Sequence, residues 1–334
     1  MIHRTLPHLL ATLLASASLV SAATPVKPAP KKAAKPTAKA AAKAPEIAPT
    51  HANVPYGTDP AQVMDVYLAK SDRPTPVVFY IHGGGWRAGD KAPVAGLKTY
   101  LDAGISVVSI QYRFVTQAQA AGIEPPVKWP LEDAARALQF VRSKAQEWHL
   151  NPNRIGATGG SAGGASTLWL CCHDDLADPT SADPIARQST RLTCGAPVAA
   201  QTCFDPHLMR EWLPGITYGG HAFGFTKDGQ SRPDEFQAFY EGRDRVMPWI
   251  QEYSPYHLVT PDDPPLYLSY SPKPGDKIEK GAASQDPTHS PLLGLLLAEK
   301  LKAQGVEHYL TYPGAAPTRY ASTTAFLIEK LTAP

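Results

Sequence analysis

The sequence predicts an α/β protein built on a doubly wound, mostly parallel sheet. Three observations carry this. From about residue 51 onwards, short apolar runs of strand length alternate with helical stripes. The run 76–81, Pro-Val-Val-Phe-Tyr-Ile, is continuously apolar, as a strand buried on both faces must be. Of the 334 residues, 43% are hydrophobic and 19% charged, which suits a sizeable core and excludes a disordered chain, a coiled coil and a collagen-like repeat.

Taken in order, residues 63–68 alternate as a half-exposed strand, and 76–81 form the buried strand. A helical stretch at 94–102 leads to a strand at 106–112. Residues 130–148 read as a helix with Leu131, Ala135, Leu138 and Val141 on one stripe and Pro130 in its first turn. A short strand at 154–158 meets an apolar helix at 161–170. Strands at 192–200 and 266–270, a helix at 291–302, a strand at 308–312 and a helix at 320–331 complete the alternation. Residues 205–260 break it. They are rich in aromatics, Pro and Gly and read as an insertion over one end of the sheet.

The amino-terminal 50 residues have a different character. Residues 1–22 read as a signal peptide: His3 and Arg4 at the front, an apolar run at 9–20, then Val20-Ser21-Ala22 before a cleavage point at Ala23. The run is short for a bilayer span, which needs about 20 apolar residues. Residues 23–50 form a disordered linker rich in Ala, Lys and Pro, with too little apolar mass to offset the entropy of folding. It is a solvated spacer, or a basic tether for an anionic surface. Arg4 and six lysines against Glu46 alone give residues 1–50 a net charge of +6. The whole chain carries +2, so residues 51–334 carry −4. A mildly acidic domain gives no support to nucleic-acid binding. The expected product is a secreted or periplasmic protein with no membrane span after cleavage.

Two glycine-rich junctions carry the chemistry. Gly159-Gly160-Ser161-Ala162-Gly163 lies between a strand and a helix, where small residues permit a sharp turn that pushes the Ser161 oxygen out at the positive end of the helix. His82-Gly83-Gly84-Gly85-Trp86 directly follows the buried strand. Backbone N–H groups of Gly84, Gly85 and Ala162 are placed to hold the charge that develops on a carbonyl oxygen during acyl transfer. A tight structural turn would use the same residues; two such motifs in this order, each after a strand, are far more specific than either alone. His82 belongs to the loop, and its ring is expected to bond nearby backbone rather than act as a base.

With these residues in place, the chain resembles the α/β-hydrolases of the esterase/lipase type that carry HGGGW. It is most similar to the secreted bacterial group related to feruloyl and acetylxylan esterases. The similarity runs through Met64-Asp65-Val66-Tyr67, residues 77–86, Gln111-Tyr112-Arg113, the helix around Asp133, residues 154–164, Tyr253-Ser254-Pro255, Asp263-Pro264-Pro265, Gly305-Val306-Glu307 and Tyr312-Pro313-Gly314. It implies the α/β-hydrolase fold and serine-dependent hydrolysis of carboxylic esters. It also implies an acid after the strand at 266–271, shortly before a helix. Asp276 and Asp286 compete for that place. Asp286, immediately before the helix at 291–302, is preferred, although an Asp there could simply cap the helix.

The base departs from the pattern. Where the family has Pro-Gly-x-x-His, this chain has Pro313-Gly314-Ala315-Ala316-Pro317-Thr318, and no histidine follows His308. His308 opens the last strand and should lie roughly 15 Å too deep, at about 3.3 Å per strand residue. His289 lies on the correct rim, in the acid loop, and is the candidate base. His207, His221 and His257 of the insertion could also reach the site.

These residues support a secreted serine hydrolase removing acetyl or aryl ester groups from a small-molecule or polysaccharide-derived glycan substrate, with Trp212, Tyr218, Phe223 and Trp249 available to stack on rings. A catalytically impaired binding protein on the same fold is the main alternative, motivated by the missing histidine; a serine peptidase is a weaker one. No metal or other cofactor is expected, since no Cys/His spacing suits zinc and no dinucleotide or phosphate-binding fingerprint occurs. Cys171, Cys172, Cys194 and Cys203 in an exported chain suggest at least one disulfide from the helix at 161–170 to the segment 194–203.

Overall fold

The computed structural model describes residues 47–333. The signal peptide and nearly all of the linker assigned above lie outside the described residues.

Eight strands form a single sheet: β1 (His51–Pro55), β2 (Val63–Tyr67), β3 (Thr75–Ile81), β4 (Ser106–Ile110), β5 (Leu150–Gly160), β6 (Cys194–Val198), β7 (Leu266–Ser269) and β8 (His308–Thr311). Their order is β1-β2-β4-β3-β5-β6-β7-β8. β1 and β2 are antiparallel to their neighbours, and all other pairings are parallel. The alternation read from the sequence therefore produces the mostly parallel sheet it implies.

Helices cover both faces. Chain order gives α1 (Leu97–Asp102), α2 (Val115–Ala120), α3 (Lys128–Ser143) and α4 (Ala162–Cys172). Between β6 and β7 lie α5 (Pro206–Trp212), α6 (Arg232–Glu241), α7 (Arg243–Tyr253) and α8 (Pro255–Leu258). The chain closes with α9 (Pro291–Ala303) and α10 (Thr323–Thr332). On β3, Val77, Phe79 and Ile81 join the core beneath α3, α4 and α9, whereas Val78 faces the core beneath α1 and α10. This period-2 split explains why residues 76–81 read as one unbroken apolar run. All residues of α4 are buried, as an all-round apolar helix requires.

Differences from the sequence reading are local. β5 begins at Leu150 rather than 154, with a register irregularity against β3 between Thr75 and Val77 that absorbs Pro152. α3 stops at Ser143, and Trp148 packs on Phe140 from the turn that follows. β1 was not anticipated because it is a mostly exposed edge strand without alternation. α2 is short and was also missed.

The disulfide expectation is overturned: all four cysteines are free and buried. For Cys194 strand geometry is the reason, whereas Cys203 lies beyond β6 and shares a core with Cys171 and Cys172 without bonding to either. Cys194 points to the α10 side of the sheet, and a Cβ added to Gly156 would meet both its Sγ and Leu327. Cys171 lies on the α4 side, against Gly195. Adjacent residues of β6 thus face opposite layers. Burial pushes the Cys194 and Cys203 thiols up to about 12, which leaves them unreactive. Dithiothreitol should leave Tm unchanged in a thermal melt. A bridge worth the usual 2–4 kcal/mol (about that range) would instead reveal itself as a fall of several degrees.

Candidate active site

The sheet order reverses direction at β3, with β4 on one side and β5 on the other. Crevices at such a switch point open beyond the carboxyl ends of the strands. The two glycine-rich junctions emerge there, one from β3 and one from β5.

Ser161 has φ 54° and ψ −122°, a strained conformation for a residue with a Cβ. It is held by its N–H, which donates to the Val198 carbonyl at 2.9 Å. The turn is pressed against the end of β3: a Cβ at Gly159 or Gly163 would sit 2.2 or 2.1 Å from the Ile81 carbonyl oxygen. The other loop needs glycine for the same reason. A Cβ at Gly83 would lie 2.6 Å from the Gly160 carbonyl, and Gly84, at φ 107°, has its own carbonyl bonded by the N–H groups of Arg87 and Ala88. Trp86 fastens the loop to α4, its indole N–H donating to Ser166 Oγ at 2.9 Å. His82 stacks on Tyr112 with ring centroids 4.3 Å apart, and its Nδ1 lies 2.7 Å from the Gly83 carbonyl. Burial lowers the pKa of His82, so a neutral ring donates from Nδ1 to that carbonyl. Tyr112 donates to the His82 carbonyl at 2.8 Å. Next to it, Arg113 grips the buried Asp133 through Nε and an Nη at 2.9 and 2.6 Å, so Gln111-Tyr112-Arg113 and Asp133 act as the frame of this loop.

The candidate acid and the candidate base flank one turn. Residues Pro287–His289 form a single 3-10 turn ahead of α9. His289 Nε2 lies 2.9 Å from Ser161 Oγ. His289 Nδ1 lies 2.9 and 3.0 Å from the two carboxylate oxygens of Asp286. With the proton on Nδ1 donated to Asp286, Nε2 is free to accept from the Ser161 hydroxyl. This is the nucleophile–base–orienter geometry of acyl-transfer enzymes. Asp286 does not cap α9; Ser290 does, its Oγ accepting from Leu292 N–H. The turn is pinned from behind by the fully buried Gln201, whose Nε2 donates to the Thr288 carbonyl at 2.9 Å. Asp276, the other candidate acid, accepts from Ser284 Oγ at 2.7 Å and from Gln285 N–H, and so braces the segment that leads into the turn.

The other histidines are placed elsewhere. His308 bonds the Val306 carbonyl at 2.8 Å, and His207 bonds the Tyr240 carbonyl at 3.0 Å. His257 is half-buried beside Lys300, whose charge adds to burial in lowering its pKa. His221 alone among them borders the same cavity as Ser161. Its pKa is lowered by burial, against the pull of Glu235 and the Gly85 carbonyl beside it.

That cavity measures about 280 Å³ and opens onto Ser161, His289 and Asp286, with Gly84 and Gly85 on one wall. Polar residues complete the lining: Arg87, Arg232, Tyr218 and His221. Glu235 anchors it, accepting from Arg87 at 3.0 Å and Thr226 at 2.7 Å. Burial raises the Glu235 pKa, but His221 beside it at 3.7 Å and the hydrogen bonds from Thr226 and Arg87 outweigh that and pull the group down to about 2. Of the four aromatics offered for ring stacking, only Tyr218 reaches the cavity. Trp212 and Phe223 are buried in the core of the insertion, and Trp249 packs against that core half-buried. A larger recess of about 770 Å³ lies near Thr75 and Leu150, at the opposite ends of the strands from this chemistry. Among the described residues no cluster of three or more His, Cys, Asp or Glu could hold a metal, and no helix is long and apolar enough to cross a membrane.

Sequence reasoning missed Gln201 and the arginines. Arg87 directly follows the HGGGW motif and could have been noticed there. Arg232 sits in a Pro- and Gly-rich insertion with no local signal.

The fold is the α/β-hydrolase fold. Residues 64–182 match the BD-FAE family model, a segment that holds both glycine-rich junctions. Gut esterase 1 of Caenorhabditis elegans is 32% identical over 120 residues, which are 34% of this chain and 21% of that protein; the chain thus spans about a fifth of the length of this curated relative. Among solved structures, a truncated carbohydrate esterase from gut microbiota aligns with TM-score 0.61 at 19% identity, over 84% of this chain and 96% of the other. The acetyl ester-xyloside bifunctional hydrolase of Caldicellulosiruptor lactoaceticus aligns with TM-score 0.55 at 23% identity, over 75% and 76%.

Proposed function

We propose that the protein is an exported serine-dependent carboxylic ester hydrolase for short acyl esters, including those carried by polysaccharide-derived substrates. The observation that carries the reading is the chain of contacts from Ser161 Oγ through His289 to Asp286. In this mechanism His289 Nε2 takes the Ser161 proton as Oγ attacks the ester carbonyl. The N–H groups of Ala162, Gly84 and Gly85 stabilise the oxyanion. His289 then protonates the departing alcohol, leaving an acyl-Ser161. A water deprotonated by His289 releases the acid and restores the serine. Asp286 holds the ring and stabilises its cationic form throughout.

The small cavity supports short acyl groups, and the carbohydrate and acetyl ester hydrolases among the structural neighbours support the substrate class. Export rests on residues 1–22 as a leader. The binding-protein alternative loses its motive once an imidazole stands within reach of the serine.

A covalent probe tests the reading. Incubation of the full chain with a fluorophosphonate should label one residue, Ser161, stoichiometrically, and abolish p-nitrophenyl acetate hydrolysis in step. Labelling elsewhere, or hydrolysis that survives full labelling, would overturn it.

A further inference from the structure

The polar lining of the Ser161 cavity contains a cation with no counter-charge. Arg232 is the first residue of α6. A cation at a helix amino terminus opposes the helix dipole, so Arg232 does not serve α6. Among the described residues no carboxylate lies within ion-pair distance of it. The neighbouring carboxylates are committed: Glu235 to Arg87 and Thr226, Asp286 to His289, and Asp234 to Ser231. Arg87, the other cation of this lining, is matched by Glu235. Arg232 therefore stands exposed at the cavity edge as a cation that no carboxylate pairs, while Asp234 and Glu235 in the first turn of α6 offset the positive end of the helix itself.

A second, independent observation points to a ligand. Tyr218 borders the cavity, and its hydroxyl is buried with no hydrogen-bond partner among the described residues. The residue is only 5% exposed. Leaving a buried hydroxyl unpaired is costly, and this one lies about 4.0 Å from where a Cβ on Gly85 would stand. Burial keeps the phenol protonated, so it is a donor. A cation and a neutral donor in one lining together fit an anionic oxygen group.

We infer that the preferred substrate is an ester that also carries a carboxylate, held by Arg232 with the Tyr218 hydroxyl as second donor. The inference rests on the hydrolase reading above. It deepens that reading by assigning the charge class of the substrate. Arg232 is preferred to Lys chemistry here because a guanidinium can present two parallel N–H groups to a carboxylate.

Two matched pairs of substrates test it and separate the two sources of the charge. p-Nitrophenyl hemiadipate against p-nitrophenyl hexanoate puts the carboxylate on the acyl side. 4-Acetoxybenzoate against its methyl ester puts it on the alcohol side. For each pair the ratio of kcat/KM, anionic over neutral, is compared between wild type, Arg232→Gln, Arg232→Lys and Tyr218→Phe, after subtracting spontaneous hydrolysis. Comparing proteins cancels the intrinsic reactivity of the esters. Arg232→Gln should lower the ratio about 10–100-fold for one pair, the range expected for a lost charge-assisted hydrogen bond. Arg232→Lys should lose less, Tyr218→Phe should lower the same ratio, and added salt should lower it in wild type. A ratio that Arg232→Gln leaves unchanged in both pairs, while turnover still depends on Ser161, overturns the anion inference alone. Turnover of all four esters that is undiminished in Ser161→Ala overturns the hydrolase reading itself.

Discussion

His289→Ala should lower kcat for p-nitrophenyl acetate by about 10⁴–10⁶-fold, close to the loss in Ser161→Ala, and the double variant should lose no more than either single one. Members of such a set act as a unit, so their losses do not add. The physical reason is local. Without an imidazole at 2.9 Å the Ser161 proton has no acceptor, and among the described residues no other hydrogen-bond partner of Ser161 Oγ takes its place. Asp286→Asn should cost less, about 10³–10⁴-fold. Asp286 and His289 are each about one-third exposed, at 34%, so water can solvate the imidazolium in part. His221→Ala, His207→Ala and His257→Ala should not approach these losses, because none of those rings contacts Ser161. Progress curves at several enzyme concentrations, with each variant checked for native circular dichroism, decide the matter. A loss below tenfold in His289→Ala would remove it as the base.

The expected loss in His289→Ala bears on what a sequence can reveal. The α/β alternation was legible because a sheet covered on both faces needs unbroken apolar strands, and β3 shows one plainly. The G-x-S-x-G and HGGGW runs were legible because their glycines answer a local need for close backbone approach. The base was not legible in the same way. A histidine declares nothing about which rim of the sheet it occupies, and the usual position after β8 holds Ala315, Ala316 and Pro317 instead. The arrangement seen, with Asp286 just before one 3-10 turn and His289 at its end, needs the turn to be aimed at Ser161. Gln201, 88 residues earlier in sequence than His289, helps to aim it, and no pattern within the loop records that. Arg232 and Tyr218 were hidden likewise, since an insertion carries no periodicity that places its side chains over the site. The cysteines misled for the opposite reason: their number invited pairing, but β6 points Cys194 away from α4.

Gly163→Ala should be among the most damaging single-methyl changes in the described residues, for stability and activity together. Its Cβ would stand 2.1 Å from the Ile81 carbonyl oxygen and 2.6 Å from that of His82. Both are backbone atoms, one ending β3 and one opening the loop that carries Gly84 and Gly85. Neither can swing aside as a side chain would. Either α4 withdraws from the sheet, breaking the packing of an entirely buried helix, or the loop shifts and its N–H groups leave the oxyanion position. A cost of about 4 kcal/mol is expected, a fall of about 10 °C in Tm, and kcat should fall well beyond the fraction unfolded. Gly160, two residues before Ala162 in the same motif, supplies the control. A Cβ there meets nothing within 4 Å, so Gly160→Ala should melt within about 0.5 kcal/mol of wild type. The contrast separates a glycine needed for close approach from one that is merely adjacent to the nucleophile. Equal melting temperatures for Gly160→Ala and Gly163→Ala would mean that α4 does not press on β3 as described, and that Ser161 owes its position to something else.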